Sequence, residues 1–114
     1  LYDYILNLDR AIRFVGIIDD LGRLVYGGMR PGLKSLETET ESIKIYVEFA
    51  LINKLHMDFD NTLGRVEYSL TVREKIKLMS FPINDYIVRI STEREADHQK
   101  ISSAILNHLS TMRK

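Results

Sequence analysis

The segment from Leu36 to about His56 constrains the fold of this chain most strongly, because it predicts one long helix with two apolar flanks. On a helical wheel of about 100° per residue, one group of large side chains shares a single face. That face carries Leu36, Ile43, Tyr46, Val47, Ala50 and Leu51. Ile45, Phe49 and Ile52 form a second apolar stripe on nearly the opposite side. A helix that covers one sheet needs one stripe, so the sequence predicts that this helix is covered twice.

The residues before the long helix predict a short helix and a β-hairpin. Apolar residues fall at helical spacing between Leu1 and Asp9. Residues 12–18 and 23–28 are rich in residues that favour strands, and they flank the turn sequence DDLG at 19–22. Asp side chains can accept bonds from the backbone ahead of them, and Gly22 can adopt a positive φ, so we predict a tight turn there.

The residues after the long helix predict a loop, three strands and a final helix. The loop covers 57–64, and the strands cover 65–72, 76–81 and 86–91, with Pro82 marking an interrupted or edge position. The final helix extends to about Met112. Thr38 with Glu41 and Thr92 with Glu95 have the spacing of capping boxes at the starts of the long and final helices.

The order of these elements predicts an α/β (α+β) fold. A five-stranded antiparallel sheet with the long helix on one face and the two terminal helices on the other satisfies every apolar stripe except the second one on the long helix. A chain of 114 residues is long enough for one core, so residues 1–114 are predicted to form a single domain.

This pattern resembles the roadblock/dynein-light-chain family, in the profilin-like or longin-like group. The stretch VGIIDDLGRLVYGG, residues 15–28, looks like the family's opening hairpin, and the resemblance in element order covers residues 1–112. The resemblance implies a roadblock-like domain without catalytic residues, which dimerises through the long helix and regulates small GTPases or serves as an adaptor. The same hairpin also resembles, less closely, the opening strands of PAS-type sensor domains.

Composition narrows the possible partners. The 16 basic residues balance the 16 acidic ones, so no net field favours nucleic acid or an anionic membrane. The apolar runs are far shorter than the ~20 residues of a membrane span, and no signal segment opens the chain. The absence of cysteine excludes disulfides and thiolate chemistry and is compatible with a reducing cytoplasm. We therefore expect a cytoplasmic protein. The chain begins at Leu1 rather than Met, so its numbered start need not be the natural N-terminus.

The hairpin does not predict a phosphate site or a catalytic carboxylate pair. A phosphate loop needs several glycines before a helix N-terminus, usually with a lysine, whereas Gly27 and Gly28 here precede a proline. Asp19 and Asp20 would repel phosphate. In a strand they would also point to opposite faces, so they could not act together on one substrate.

The acidic stretch after the long helix has only part of the spacing of a calcium loop. Such a loop needs Gly at its sixth position and Glu at its twelfth. Counted from Asp58, Gly64 falls seventh and Glu67 tenth. His98 and His108 lie about 15 Å apart along the final helix and cannot share a metal. We predict no metal, no cofactor and no catalytic residue.

The basic residues near the hairpin are expected to form a solvated rim. They are Arg10, Arg13, Arg23, Arg30 and Lys34.

The second stripe carries the functional prediction. Three exposed apolar side chains form a patch typical of interaction sites, so Ile45, Phe49 and Ile52 are predicted to form a homodimer interface. The chain is predicted to be a non-enzymatic scaffold or signalling regulator that binds itself and a protein partner, a small GTPase being the class implied by the resemblance. Cover of the stripe by the first helix of the same chain is the structural alternative. The functional alternative is a PAS-like sensory domain that holds a small ligand in a cavity lined by Tyr26, Tyr68 or Tyr86.

Overall fold

The structure is a computed structural model that describes residues 1–112. The helices are α1 (Tyr2–Leu6), α2 (Glu39–Met57), α3 (Asp60–Leu63) and α4 (His98–Ser110). The strands are β1 (Ile12–Ile18), β2 (Leu24–Met29), β3 (Ser69–Val72), β4 (Ile76–Ile83) and β5 (Tyr86–Glu93). All neighbouring strands are antiparallel, in the order β2-β1-β5-β4-β3.

The two faces of the sheet carry separate apolar clusters. The larger one joins α1 and α4 to the sheet and includes the fully buried Ile5, Met79 and Ile105. The smaller one places Tyr46 of α2 against Phe14 and other side chains of β1 and β5. The predicted α+β class is therefore confirmed, with the long helix on one face and the terminal helices on the other. No helix in residues 1–112 is both long and apolar enough to cross a membrane.

One of the two predicted capping boxes is present. At the start of α2 the Thr38 hydroxyl accepts a hydrogen bond from the Glu41 amide (3.2 Å), and the Glu41 carboxylate accepts one from the Thr38 amide (2.9 Å). The bond from the Thr38 backbone lowers the pKa of Glu41. The prediction for α4 was wrong: its N-cap is Asp97, because β5 continues to Glu93 and so holds Thr92 inside the sheet.

Several boundaries differ from the predicted ones, and α2, for example, begins at Glu39 rather than at Leu36. The expected loop after α2 contains the short helix α3, and β3 begins at Ser69 rather than at residue 65. β4 continues through Pro82 to Ile83 without interruption. This is possible because β3 pairs with β4 only as far as Ser80, so the missing amide hydrogen of Pro82 interrupts no ladder with β3.

The β1–β2 turn is held by the Asp19 carboxylate, as the sequence suggested. It accepts bonds from the amides of Leu21 (3.0 Å) and Arg23 (2.9 Å) and from the Arg23 Nε (2.7 Å). Gly22 has φ 83°, the left-handed conformation expected there. The bond from the Arg23 backbone, followed by the smaller effects of the Arg23 side chain and the Leu21 amide, lowers the pKa of Asp19 despite its partial desolvation.

Asp19→Asn is expected to reduce the free energy of unfolding at neutral pH. The variant should also lose less of that free energy than the wild type when the pH is lowered. Because folding lowers the pKa of Asp19, its ionised form favours the folded state above the unfolded pKa, and this contribution is lost as pH falls through the folded pKa. Urea unfolding between pH 7 and pH 3 measures both effects. Asp20→Asn is the control, since Asp20 is exposed. Equal acid profiles for the wild type and Asp19→Asn would contradict the assignment.

Candidate interaction groove beside the long helix

Helix α2 contacts the sheet through Tyr46 and Ala50, which belong to the first predicted stripe. Tyr46 and Ala50 are the buried residues of the helix, and Tyr46 stacks on Phe14 with ring centroids 6.1 Å apart. Only this part of the first stripe faces the sheet. Ile43, Val47 and Leu51 lie on one flank of the contact and the second stripe lies on the other, and neither flank is fully covered. The expectation that Ile43, Val47 and Leu51 face the sheet together with Tyr46 was wrong, because all three are about half exposed.

A groove of about 790 Å³ opens between one flank of α2 and the sheet. One wall is formed by α2 and the segment that precedes it, with Leu36, Glu37, Glu41, Ile45, Glu48 and Phe49. The β3–β4 turn (71–76) forms the opposite wall, and Leu78 and Arg89 complete the lining. β3 is the outermost strand on this side of the sheet. The groove therefore lies beside an edge strand whose outer backbone groups can pair with another chain.

The predicted interface residues lie on this flank of the helix. Ile45 and Phe49 line the groove and are half buried by their own chain, and Phe49 also packs against the smaller cluster. Ile52 continues the same stripe beyond the groove and is 39% exposed. None of the three is fully enclosed within the described part of the chain.

Arg89 is the charged group at the base of the groove, and the sequence analysis did not single it out. It lies on β5 and is 1% exposed. Its Cζ is 4.8 Å from the ring centroid of Phe14, 5.3 Å from that of Tyr46 and 5.8 Å from that of Phe49. A single arginine in an otherwise apolar strand pattern, Tyr86 to Ile90, was the available signal.

The hydrogen-bonding capacity of Arg89 is only partly used. Nη2 lies 3.5 Å from Oε1 of Glu37, whereas Nε and Nη1 are buried with no hydrogen-bond partner within residues 1–112. Desolvation lowers the pKa of Arg89, and the charge of Glu37 opposes that shift. Buried unpaired donors on a cation are costly, and the rings of Phe14, Tyr46 and Phe49 around this guanidinium offset part of that cost.

The two walls of the groove carry different charges. Glu37, Glu41 and Glu48 lie on the helix side, while Arg73 and Lys75 flank Glu74 in the opposite turn. Glu37 accepts a bond from the Ser42 hydroxyl (3.3 Å), and Glu41 is occupied by the capping box. The Glu48 side chain is exposed and makes no hydrogen bond or ion pair within residues 1–112.

The opposite flank of α2 is a second apolar surface. Ile43, Val47, Leu51 and Leu55 follow one another at intervals of four residues, and each is about half exposed. The β1–β2 turn borders this surface, since a Cβ on Gly22 would lie 2.7 Å from the Val47 Cα. This helix therefore has apolar surfaces on both sides of its contact with the sheet.

The two histidines of α4 contact side chains of other elements. Within residues 1–112 no three His, Asp or Glu side chains are grouped so that they could hold a metal ion. His98 Nδ1 lies 3.0 Å from the Lys77 Nζ, and His108 stacks on Tyr4 with centroids 4.0 Å apart.

Tyr26, Tyr68 and Tyr86 do not line the groove. Tyr26 packs edge-on against Tyr2, and Tyr68 stacks on Phe81. The basic residues of the hairpin are not all a solvated rim. Arg30 binds three backbone carbonyls, and Arg13 forms an ion pair with Glu93 at 2.7 Å.

Comparison with known proteins assigns the sequence to a family. The sequence model of the family DUF6659, a family of unknown function, matches residues 4–113. The chain belongs to this family. No curated protein matches it.

Solved structures similar to this member of DUF6659 include a Roadblock/LC7 domain, MglB and MglC. The Roadblock/LC7 domain from Streptomyces avermitilis superimposes with a TM-score of 0.68 at 12% identity, over 92% of this chain and 87% of that one. The gliding protein MglB from Thermus thermophilus gives 0.72 at 12% identity, over 92% and 78%. MglC from Myxococcus xanthus gives 0.59 at 11% identity, over 90% and 84%. The fold is roadblock-like, as the resemblance implied.

Proposed function

We propose that this chain is a non-catalytic regulatory domain that acts as a homodimer and presents a composite surface, formed by both copies, to a protein partner. The observation that carries the proposal is the half-covered stripe of Ile45, Phe49 and Ile52 beside an open groove and an edge strand. Full burial of a large apolar side chain contributes ~1.5–3 kcal/mol, so covering this stripe provides a substantial driving force.

A second copy of the chain suits this groove for geometric reasons. In a two-fold dimer the same surface serves both partners, so the α2 walls of the two copies can pack against each other and cover both stripes. The adjacent β3 edge can pair with its counterpart at the same time. Among the similar structures, MglB is described with a tetrameric arrangement, which supports self-association as a property of this fold.

The opposite flank of α2 is the proposed surface for a different protein. Its ladder of Ile43, Val47, Leu51 and Leu55 stays outside the groove and remains available in the proposed dimer. The roadblock resemblance supports a small GTPase as the partner class, with the cytoplasm as the place of action. The absence of cysteine supports that compartment.

Light scattering of the wild type and two neighbouring variants tests the dimer. The wild type is expected at about twice the monomer mass of 13.3 kDa. Ile52→Asp introduces a charge into the stripe and is expected to weaken the dimer about a hundredfold, giving monomer at micromolar concentration. Leu51→Asp is the matched control, because Leu51 is 56% exposed on the other flank and its replacement should leave the dimer intact. A monomeric wild type, or equal masses for both variants, would remove the proposed interface.

The same control variant tests the partner surface. Leu51→Asp is expected to remain a dimer but to lose affinity for a small GTPase that binds the wild type, measured by calorimetric titration. Equal binding of that GTPase to both proteins would exclude this flank as its docking surface.

A further inference from the structure

We infer that the outer edge of β2 binds an extended segment of a partner protein, which pairs with β2 as a sixth strand and places carboxylates beside its C-terminal end. The inference rests on the proposed function, because it names the element through which the partner on the opposite flank of α2 engages this chain. The β1–β2 turn joins the two surfaces, since Gly22 lies against Val47 of that flank.

The backbone of β2 is open on its outer side. β2 is the outermost strand on the side of the sheet away from β3. The Arg30 amide donates to the Arg13 carbonyl (2.6 Å), and bonded pairs alternate along an antiparallel ladder, so the backbone groups of Met29 and Gly27 point outward. The Met29 carbonyl accepts the Tyr2 hydroxyl at 3.2 Å, whereas no side chain within residues 1–112 bonds to the backbone of Gly27. These outward groups can pair with an added strand.

The exposed side chains of β2 are large and apolar. They are Leu24 (41% exposed), Val25 (52%) and Tyr26 (63%). Leu24 lies on the α2 face, because a Cβ on Gly16 would meet it together with the Phe14 ring. Tyr26 packs edge-on against Tyr2 of α1 and so lies on the other face. The strand contains no charged residue and no proline, so it lacks two features that commonly keep an exposed edge from pairing.

A bulge in β2 favours a flexible segment over a second copy of the chain. Ile17 pairs with Tyr26 and Ile18 pairs with Leu24, so Val25 is an extra residue in the strand. A bulge increases the local twist, and two rigid edges that both carry it align poorly in one ladder. An extended segment that is not yet part of a sheet can follow the twist. The occupant is therefore a segment of a different protein.

Three basic residues lie at the C-terminal end of β2. Arg30 directly follows the strand, and its Nη2 donates to the Asp9 carbonyl at 2.9 Å, which brings the neighbouring Arg10 to this end. The Lys34 carbonyl accepts a hydrogen bond from Arg13 (3.1 Å), whose own carbonyl binds the Arg30 amide. Arg10 and Lys34 are exposed.

The positive charge of this group is only partly balanced. Arg30 donates to carbonyls rather than to carboxylates, and neither Arg10 nor Lys34 forms an ion pair in the part of the chain that the structure describes. The Asp9 carboxylate is the nearby negative group, and it accepts the Ala11 amide. Carboxylates of a partner would complete the balance and set the alignment of the added strand. Antiparallel pairing, as in the rest of the sheet, places them at the N-terminal end of the partner segment.

A short synthetic peptide tests the pairing. The peptide has blocked termini, begins with two glutamates and continues with alternating valine and threonine. In NMR spectra of the labelled wild type, the peptide is expected to shift the Gly27 amide signal and to slow its hydrogen exchange. A version with N-methylated backbone amides keeps the side chains but cannot pair with β2, so it should bind at least about tenfold more weakly. Equal binding of both peptides, or no binding at millimolar concentration, would overturn the inference.

A charge exchange tests the acidic end of the segment. Lys34→Glu is expected to weaken binding of the acidic peptide about tenfold and to strengthen binding of a peptide that begins with two lysines. Lys100→Glu, the same change at an exposed position of α4, should alter either affinity by less than about twofold. If the wild type binds the acidic and the basic peptide equally, the partner segment is not selected by its carboxylates and the inference fails.

Further outcomes separate this inference from the proposed function. A wild-type assembly larger than the dimer, which Tyr26→Lys returns to the dimer mass, would assign the edge to another copy and overturn the inference. The homodimer and the effect of Leu51→Asp on GTPase binding are measured without the peptide, so both can stand when peptide binding fails. If the peptide pairs with β2 while Leu51→Asp leaves GTPase binding unchanged, the partner surface on α2 is overturned and the β2 edge stands.

Discussion

Gly27→Ala is expected to reduce the free energy of unfolding by ~4 kcal/mol or to prevent folding, a loss near the upper end for single substitutions. Gly27 has φ 99°, in the left-handed region that an L side chain rarely adopts. A Cβ there would lie 2.2 Å from the Val15 carbonyl oxygen and 3.0 Å from the Gly16 Cα. Both atoms belong to the backbone of β1, which is paired with β2 at this position, so neither can move aside without opening the ladder.

The neighbouring glycine provides a matched control for this prediction. A Cβ on Gly28 would meet no atom within 4 Å, and Gly28 is not among the residues with positive φ. Gly28→Ala is therefore expected to change stability by less than ~1 kcal/mol. Urea unfolding followed by circular dichroism compares the two variants. Similar small losses for both would show that Gly27 tolerates a side chain, contrary to the backbone geometry.

The local patterns predicted most of the fold because they depend on neighbours in sequence. The hairpin, the Asp19 turn and the Thr38 capping box each need only residues a few positions apart, and all three are present. The boundary errors arise where tertiary pairing decides. β3 begins late because β4 pairs with it only between Ser80 and Lys77, and the sequence of residues 65–68 carries no sign of that limit.

The rotation of α2 could not be predicted because its apolar residues occur almost all round the helix. Tyr46 is fixed against Phe14, Ile18 and Ile87 of the sheet. This contact turns the second stripe onto one flank of the helix and the remaining part of the first stripe onto the other. The choice of Ile45, Phe49 and Ile52 as the interface therefore remains a prediction. The structure adds that Ile45 and Phe49 line a groove. The unpaired state of Arg89 could not be predicted from the sequence, since it depends on the side chains of β1, of α2 and of the segment before α2 that surround it.

The environment of Arg30 also depends on tertiary contacts that the sequence does not reveal, and its replacement is expected to have a large effect. The sequence placed it in a solvated basic rim, but its Nε donates to the Ile12 carbonyl at 2.7 Å. Its Nη2 donates to the carbonyls of Leu6 (2.7 Å) and Asp9 (2.9 Å). One guanidinium thus ties the end of β2 to the segment that joins α1 to β1.

Arg30→Ala is expected to reduce the free energy of unfolding by ~4 kcal/mol, because three partly buried carbonyls lose a charged donor worth ~1.5–3 kcal/mol each and the losses are not fully additive. Arg30→Lys should recover part of the loss, since an ammonium group lacks the planar fork that reaches all three oxygens. Arg10→Ala, at an exposed position, should cost less than ~0.5 kcal/mol. Urea unfolding gives these energies, and hydrogen exchange should show faster opening of α1 than of β4 and β5 in Arg30→Ala. If Arg30→Ala and Arg10→Ala lower the free energy of unfolding equally, the three hydrogen bonds of Arg30 do not stabilise the fold as proposed. A loss confined to Arg30→Ala would show that this side chain holds α1 against the sheet.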